Sequence, residues 1–518
     1  MIAVHQATNS LVLRADDPLA LRELIPQSKL IEYGEYNVAV KHTLEATKLL
    51  RNMGLPAPAP IRYTYNWPGK FKPFAHQLET SEFLTLHNKA FVLSSMGSGK
   101  TSSTLWAADW LMQQGLVRKV LILAPLSTLD RVWMQEIFDT LMHRVGVVVH
   151  GSQADRLDAL KTNADFYILN HDGVAIKPVV EEIHRRPDID LVIIDEGSMF
   201  RNHDTKKYKF LQKMLRPDQK LWLLTGTPCP NAPTDAWALA RLVSPARVPN
   251  YIGSFRRQTM MQVSTFKWIP KPEAYEIAYE AMQPAIRFRK EDCIDLPPVT
   301  FEDRACELTP EQAKAFEAMR KEMQMEAKTT QINAVNAADK INKLRQILCG
   351  AIKDPVTEQY ITLPHQKRLS VLMECIAEAG AKVIVIVPFK GITNALEQEI
   401  KKDYTVGVLN GDVSPKMRNK IIADFKNTPD PHVLLCHPKV MSHGLNLTEA
   451  DTLIFYAPIY SNDEAQQVVE RFNRPGQKNK MTVIKMGAIG LEWEIYKLLD
   501  NKRVTQDNIL NLYKSVTE

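Results

Sequence analysis

The 518-residue chain carries 65 Lys and Arg against 59 Asp and Glu, a net charge of +6, with 45% hydrophobic and 24% charged residues. That length exceeds one ordinary core and predicts two to four domains of a soluble globular protein, excluding collagen-like, low-complexity and disordered classes. The mild basicity suits a stripe of cations along a phosphate backbone, and equally an enzyme that touches no nucleic acid, so charge alone decides nothing.

Residues 1–69 predict a small α+β accessory domain: strand-like SLVLRAD and NVAVKH, each followed by a helical stretch. The Pro-rich PAPAPIRYTYNWPG that follows predicts a linker. Over residues 70–244 the runs AFVLSS, KVLILAP, VGVVVH, DFYILN, LVIIDE and LWLLTG alternate with helical patterns. Each run is almost continuously apolar, as expected of strands covered on both faces, and the alternation predicts a doubly wound parallel sheet. Residues 245–350 predict a mainly helical insertion. In LTPEQAKAFEAMRKEM, Thr309 can cap, Pro310 suits the first helical position and Gln312 completes a capping box. The α/β pattern returns over 351–518 with KVIVIVP, YTVGVL, HVLLCH, DTLIFYA and MTVIKM, predicting a second lobe with terminal helices.

The strongest chemical signal is FVLSSMGSGKTSS: a buried strand, a Gly-containing turn, then Lys-Thr opening a helix. Backbone N–H groups of such a loop point at phosphates, and the helix N-terminus favours an anion. Met96, Gly97, Ser98, Gly99, Lys100, Thr101 and Ser102 are the candidate nucleotide-binding residues. The glycines allow close backbone approach, Lys100 reaches the β/γ-phosphates, and the Thr101 hydroxyl suits Mg²⁺. Ser94 replaces the first glycine of the usual motif. In IDLVIIDE, Asp195 and Glu196 stand at the end of a hydrophobic strand, the edge where parallel sheets bind ligands. Asp195 is the candidate Mg²⁺ residue, through water, and Glu196 the candidate base for an attacking water. A bare Asp-Glu pair is also a common strand-end charge; the phosphate loop upstream in the same lobe gives it meaning. Together the two predict an enzyme that hydrolyses ATP with Mg²⁺.

The chain resembles superfamily 2 helicases and, within them, the Swi/Snf-like double-stranded DNA translocases, in motif order from about residue 70 to 500. FKPFAHQ looks like the adenine-reading segment, with Gln77 at the base. LILAPLSTLDRVWMQEI resembles the first nucleic-acid-contacting segment, ending in Trp133 and Glu136. LTGTPCPNAPTDAWAL matches the coupling motif, centred on Thr225, Gly226 and Thr227. RFRKEDCIDLPP and LRQILCG resemble the helical insertion of the Swi/Snf branch. LNGDVSPKMRNKIIADF and SHGLNLTEADTLIFYAP look like the segment before motif V and motif V itself, and QVVERFNRPGQKNK resembles motif VI. The resemblance implies two RecA-like lobes, with Gln467 and Gly444 toward the nucleotide and Arg471 and Arg474 as arginine fingers. Such fingers stabilise γ-phosphoryl charge only when the lobes close, which links closure to hydrolysis. Two positions depart from the family: Ser198 and Asn473 each replace a histidine where hydrolysis is coupled to nucleic acid, which puts the strength of DNA stimulation in question.

Motors of this type grip phosphates rather than bases. Candidate contacts are Ser127, Thr128, Arg131, Asn170 and His171 in the first lobe and Lys390, Asn410 and Ser442 in the second; for each, a capping or loop-surface role is the plain alternative. The resemblance favours duplex or branched DNA, a monomer, and action in replication, recombination or repair in a bacterial or phage-infected cytoplasm. A strand-separating RNA or DNA helicase and a nucleotide-gated DNA-binding scaffold with little turnover are the alternatives. Residues 1–69 faintly resemble the HARP-type domain of annealing helicases, or are a packing domain for the first lobe. The six cysteines form no C-x-x-C pair, which argues against zinc and disulfides and suits a reducing cytosol. No secretory pattern opens the chain, and its apolar runs fall short of the ~20 residues of a membrane span.

Overall fold

The computed structural model describes residues 2–95, 97–229, 232–263, 268–289, 299–329, 334–353, 359–441, 447–459, 461–472 and 480–500. They fall into two compact units, 1–293 and 294–518. No helix among them is long and apolar enough to cross a membrane.

The first unit begins with strands β1 (Ile2–His5), β2 (Ser10–Leu13), β3 (Lys29–Tyr33) and β4 (Tyr36–Lys41). They pair antiparallel in the order β1-β2-β4-β3. Leu11, Leu13, Val38 and Val40 point to one face, where Leu21, Ala46 and Leu50 from two helices cover them. Asp17 and Thr43 cap those helices through their side chains.

The main sheet of this unit contains β5 (Lys89–Val92), β6 (Lys119–Ala124), β7 (Gly146–Val149), β8 (Phe166–Asn170), β9 (Ile189–Ile194) and β10 (Lys220–Leu224). The hairpin β11 (Met260–Gln262) and β12 (Trp268–Pro270) stands apart, and β13 (Ala285–Ile286) adds an edge. The order is β13-β5-β10-β9-β6-β8-β7 and every pairing is parallel. Successive side chains alternate between two cores, as the period of a strand requires. Phe91, Leu121, Leu123, Tyr167, Val192 and Leu223 enter one core; Ala90, Val92, Ile122, Ile168, Ile193 and Trp222 enter the other. That double burial is why these runs read as continuously apolar.

The second unit adds β14 (Val299–Ala305), the hairpin β15 (Ala351–Lys353) and β16 (Tyr360–Thr362), then β17 (Lys382–Ile386), β18 (Val406–Leu409), β19 (Val433–Cys436), β20 (Ala450–Phe455) and β21 (Met481–Gly487). Its sheet, again wholly parallel, runs β14-β21-β20-β17-β19-β18. Helices Pro310–Thr329 and Ala334–Cys349 lie where helical spacing placed them. The capping box forms: the Gln312 backbone N–H donates to Thr309 Oγ1, and Thr309 N donates to Gln312 Oε1. The stretch 245–350 is nonetheless more than helical, since it supplies β13 to the first sheet and β14 to the second. β13 is too short to show a period, and the alternating exposure of VTFEDRA marks β14 as an edge strand. Most of RFRKEDCIDLPP lies outside the described residues.

The Pro-rich segment expected to be a linker is packed. Ala57, Ala59 and Ile61 are fully buried and Tyr65 nearly so. Two buried carboxylates of the first lobe hold the segment. Glu82 accepts from Arg51, Arg62 and the Ala59 amide. Asp109, 0% exposed, accepts from Tyr65 Oη at 2.7 Å, Arg144 Nε at 2.7 Å and Gln113 Nε2 at 2.8 Å. Trp106 Nε1 donates to Pro68 O and Trp110 Nε1 to Thr64 Oγ1. Burial and the Asp109 charge both push the Tyr65 phenol far above its ordinary value, so it stays a donor. Tyr65→Phe is expected to destabilise the first unit by about 1–3 kcal/mol, read from urea unfolding, because it strips a donor from a buried carboxylate. Deleting residues 1–69 removes partners of both carboxylates at once and is expected to cost more.

Candidate nucleotide site and nucleic-acid surface

The strands β5, β10, β9, β6 and β8 are neighbours and parallel, so their C-terminal ends share one edge of the sheet. The phosphate loop follows β5, the Thr225 motif β10, the Asp195-Glu196 pair β9, the Ser127 segment β6, and Asn170 and His171 lie at the end of β8. The parallel topology thus gathers motifs that are far apart in sequence.

In the loop, Gly97 and Gly99 have φ of 76° and 72°, the left-handed region that a side chain strains. Gly99 precedes the helix Lys100–Gln113 as its N-cap, and a Cβ there would run into the Gln77 side-chain amide. Gln77 is itself fixed, its Oε1 accepting from Phe74 N at 2.9 Å. His76 Nε2 donates to Ser98 O at 2.9 Å. Lys100 Nζ donates to the carbonyls of Ser94 at 2.8 Å and Ser95 at 3.1 Å, which holds the ammonium against the loop. Ser94, the departure from the usual glycine, is buried, and its hydroxyl accepts from Phe288 N at 3.1 Å. It anchors the segment after β13, a use no motif would reveal. Gly99→Ala is expected to weaken nucleotide binding by about tenfold or more, read by titration of a fluorescent ATP analogue, since backbone strain and displacement of Gln77 act together.

Asp195 is gripped from several sides. Trp133 Nε1 donates to its Oδ2 at 3.0 Å, Glu196 N to its Oδ1 at 3.0 Å, and His171 Nε2 to its backbone carbonyl at 2.8 Å. A carboxylate offers about four lone-pair sites, so these bonds orient Asp195 and leave acceptor capacity over. Glu196 has φ of 48°, rare for a residue with a side chain. Burial pushes His171 down to about 4, so its imidazole is neutral at pH 7. Thr225 N donates to Val92 O at 3.0 Å, joining the coupling motif to the base of the phosphate loop. The Thr227 hydroxyl is buried without a hydrogen-bond partner among the described residues. The left-handed glycines, the loop ammonium, the oriented carboxylate and that orphaned hydroxyl fit a nucleoside triphosphate.

The remaining candidates separate into groups. Ser102 Oγ donates to the Glu136 carboxylate rather than toward the loop, and Thr101 is half-buried beside it. The Ser127 hydroxyl is buried without a partner among the described residues, whereas Thr128 Oγ1 donates to Pro125 O and caps its own turn. Arg131 is partly exposed. Asn170 and His171 are buried, Asn170 Oδ1 accepting from Arg156 Nη1 at 2.8 Å, so both side chains are engaged inside the lobe. Ser198 is buried too, its carbonyl accepting from Arg201.

In the second unit, Lys390 and Asn410 line one cleft of about 410 Å³ with Tyr360, Asn394, Gln398 and Asp412. Lys390 Nζ pairs with Asp412 at 2.6 Å, and Asn410 Oδ1 accepts from Asp412 N at 3.0 Å. Gln467 is partly exposed on the helix Asn462–Phe472. Met96, Ser442, Gly444, Asn473, Arg474 and the Arg471 side chain lie outside the described residues. Sequence reasoning placed Trp133 and Glu136 at the end of the segment resembling the first nucleic-acid contact but gave neither a partner in the nucleotide site. The only signal was a donor-bearing indole and a carboxylate closing an apolar segment.

A sequence model of the SNF2-related domain matches residues 76–354, more than half of the chain, and one of the helicase conserved C-terminal domain matches 367–476. The chain belongs to the SNF2-related family. With both domains, this SNF2-related protein is a superfamily 2 DNA-dependent ATPase. It is 26% identical to protein p41 of Acyrthosiphon pisum secondary endosymbiont phage 1, over 86% of this chain and 98% of that one. It is 24% identical to the Arabidopsis thaliana protein CHROMATIN REMODELING 4, over 85% of this chain but 21% of that protein. An uncharacterised ATP-dependent helicase of Mycoplasma genitalium is 26% identical, over 76% of this chain and 37% of its own length. The chain therefore spans nearly all of the phage protein and a minor part of the other two. Among solved structures, the Sulfolobus solfataricus SWI2/SNF2 ATPase core in complex with dsDNA is similar at 22% identity, covering 87% of this chain and 95% of that one, with a TM-score of 0.42.

Proposed function

We propose that this SNF2-related protein hydrolyses ATP to move along duplex DNA and remodels branched DNA or protein–DNA complexes in replication, recombination or repair. One observation carries the reading. A single sheet edge holds the phosphate loop, the Asp195-Glu196 turn and the Thr225 motif beside a segment that resembles the family's nucleic-acid contact. Lys100 and the loop amides bind the triphosphate, and Gln77 faces the base. Thr101 and Asp195 would hold Mg²⁺, which supplies charge neutralisation on the phosphates when bound. Glu196 orients the attacking water and takes its proton, and Gln467, Arg471 and Arg474 keep the roles that their resemblance to motif VI implies. Ser127, Arg131, Lys390 and Asn410 grip the DNA backbone. The orphaned Ser127 hydroxyl and the shared Lys390–Asn410 cleft support that role. Kinship with a phage protein along almost its whole length supports a bacterial or phage-infected cytoplasm as the setting.

Displacement of a third strand from a triplex tests translocation without demanding strand separation. The reading expects displacement with ATP and none with a non-hydrolysable analogue. Absence of displacement together with unwinding of RNA or DNA duplexes would favour the strand-separating alternative.

A further inference from the structure

The segment that follows β6 is bonded to both halves of the nucleotide site. It opens with Ser127 and Thr128, winds one π-helical turn over Leu129–Met134, and continues as the helix Gln135–Thr140. Such turns are rare and gather at functional positions. From the π-helical turn, Trp133, fully buried, sends its indole N–H to Asp195 Oδ2. One step further, Glu136 accepts from Ser102 Oγ on the helix that Lys100 opens, and from Thr140 Oγ1 at 3.2 Å. An indole has one donor and no acceptor, so this side chain has a single polar contact to make when buried. Here it makes it to the candidate metal-holding carboxylate.

We infer that Trp133 and Glu136 are positioning residues that transmit DNA engagement at Ser127–Arg131 to Asp195 and to the phosphate-loop helix. The inference rests on the translocase reading above, because it needs the segment's first turn to meet DNA. A phosphate seated on that turn moves the turn against a well-packed core. The two side chains convert the movement into a reorientation of the Asp195 carboxylate and of the helix carrying Lys100 and Thr101. Packed interiors respond to such shifts by switching arrangement rather than by yielding smoothly, which gives a short segment a large effect.

The test is steady-state ATP hydrolysis by the full chain, with and without duplex DNA, for the wild type, Trp133→Phe, Glu136→Ala and Glu136→Gln. Trp133→Phe keeps an aromatic ring in the core and deletes the donor, at the cost of a smaller side chain. It is expected to lower DNA-stimulated kcat by about tenfold, with the ATP KM and the half-saturating DNA concentration each within about twofold of wild type. Glu136→Ala is expected to behave the same way. Glu136→Gln keeps an acceptor for Ser102 and is expected to recover most of the stimulation. Should Trp133→Phe fold poorly, the Glu136 pair carries the test alone. A wild-type enzyme that DNA does not stimulate would overturn the translocase reading itself. Wild-type stimulation retained in full by Trp133→Phe and Glu136→Ala would overturn this inference only. A loss confined to ATP KM would overturn it too, by showing that the segment serves nucleotide binding alone.

Discussion

Lys100→Ala is expected to reduce ATP hydrolysis by on the order of 10³-fold, within the range set by losing preorganised charge at a phosphoryl-transfer site. In this structure the ammonium rests on the Ser94 and Ser95 carbonyls, the loop's own acceptors. On the proposed reading this preorganised ammonium serves the γ-phosphate, so little reorganisation accompanies the reaction. The substitution leaves Gly97, Gly99 and the helix N-terminus in place, and nucleotide binding is expected to suffer less than turnover. Phosphate release under saturating ATP, alongside a binding titration, separates the two. A variant that retained more than about a tenth of the wild-type rate would mean that another cation serves the γ-phosphate.

The largest stability effect is expected in the second unit. Arg368 Nη2 donates to both Glu492 carboxylate oxygens, at 2.8 and 2.7 Å, with side chains 1% and 0% exposed. Arg368 Nη1 also donates to Leu348 O at 3.1 Å, and its guanidinium lies over the Tyr456 ring. Glu492 in turn accepts from Ala488 N at 2.8 Å. The pair ties together the helices Ala334–Cys349, Gln366–Glu378 and Gly490–Asp500. Although burial opposes it, the neighbouring carboxylate holds the guanidinium well above its ordinary value, so it stays charged. Glu492→Ala leaves that charge buried and unpaired and is expected to cost about 3–5 kcal/mol in urea unfolding. The double variant Arg368→Met, Glu492→Leu removes both charges and is expected to regain most of the loss. A single variant costing under about 1 kcal/mol would show that water reaches the pair.

Much of this architecture is legible in the chain because burial on both faces writes itself as uninterrupted apolar runs. LVIIDE and KVIVIVP could be assigned to central strands without any contact information. The nucleotide loop was legible for a related reason: close backbone approach demands Gly97 and Gly99, and helix geometry places Lys100 beside them. Other features depend on long-range partners and leave no local trace. β13 is a two-residue strand whose existence rests on β5. PAPAPIRYTYNWPG has the composition of a linker, yet Glu82 and Asp109 recruit its neighbours and bury it. Asn170 and His171 sit at a sheet edge where nucleic-acid contacts were expected, but Arg156 and the Asp195 carbonyl engage them. Ser198 gave no sign of whether its side chain would face the site or the core, because a small hydroxyl suits both; the structure buries it.

The central claim is that a nucleotide site and a DNA grip work as one machine. ATP hydrolysis by the purified full chain, alone and with duplex DNA, single-stranded DNA or RNA, tests it most directly. Strong stimulation by duplex DNA is expected, with weaker stimulation by the single strands and the fall of on the order of 10³-fold in Lys100→Ala. Robust hydrolysis that no nucleic acid changes would contradict it, and would mean that Ser198 and Asn473 have disconnected turnover from the polymer.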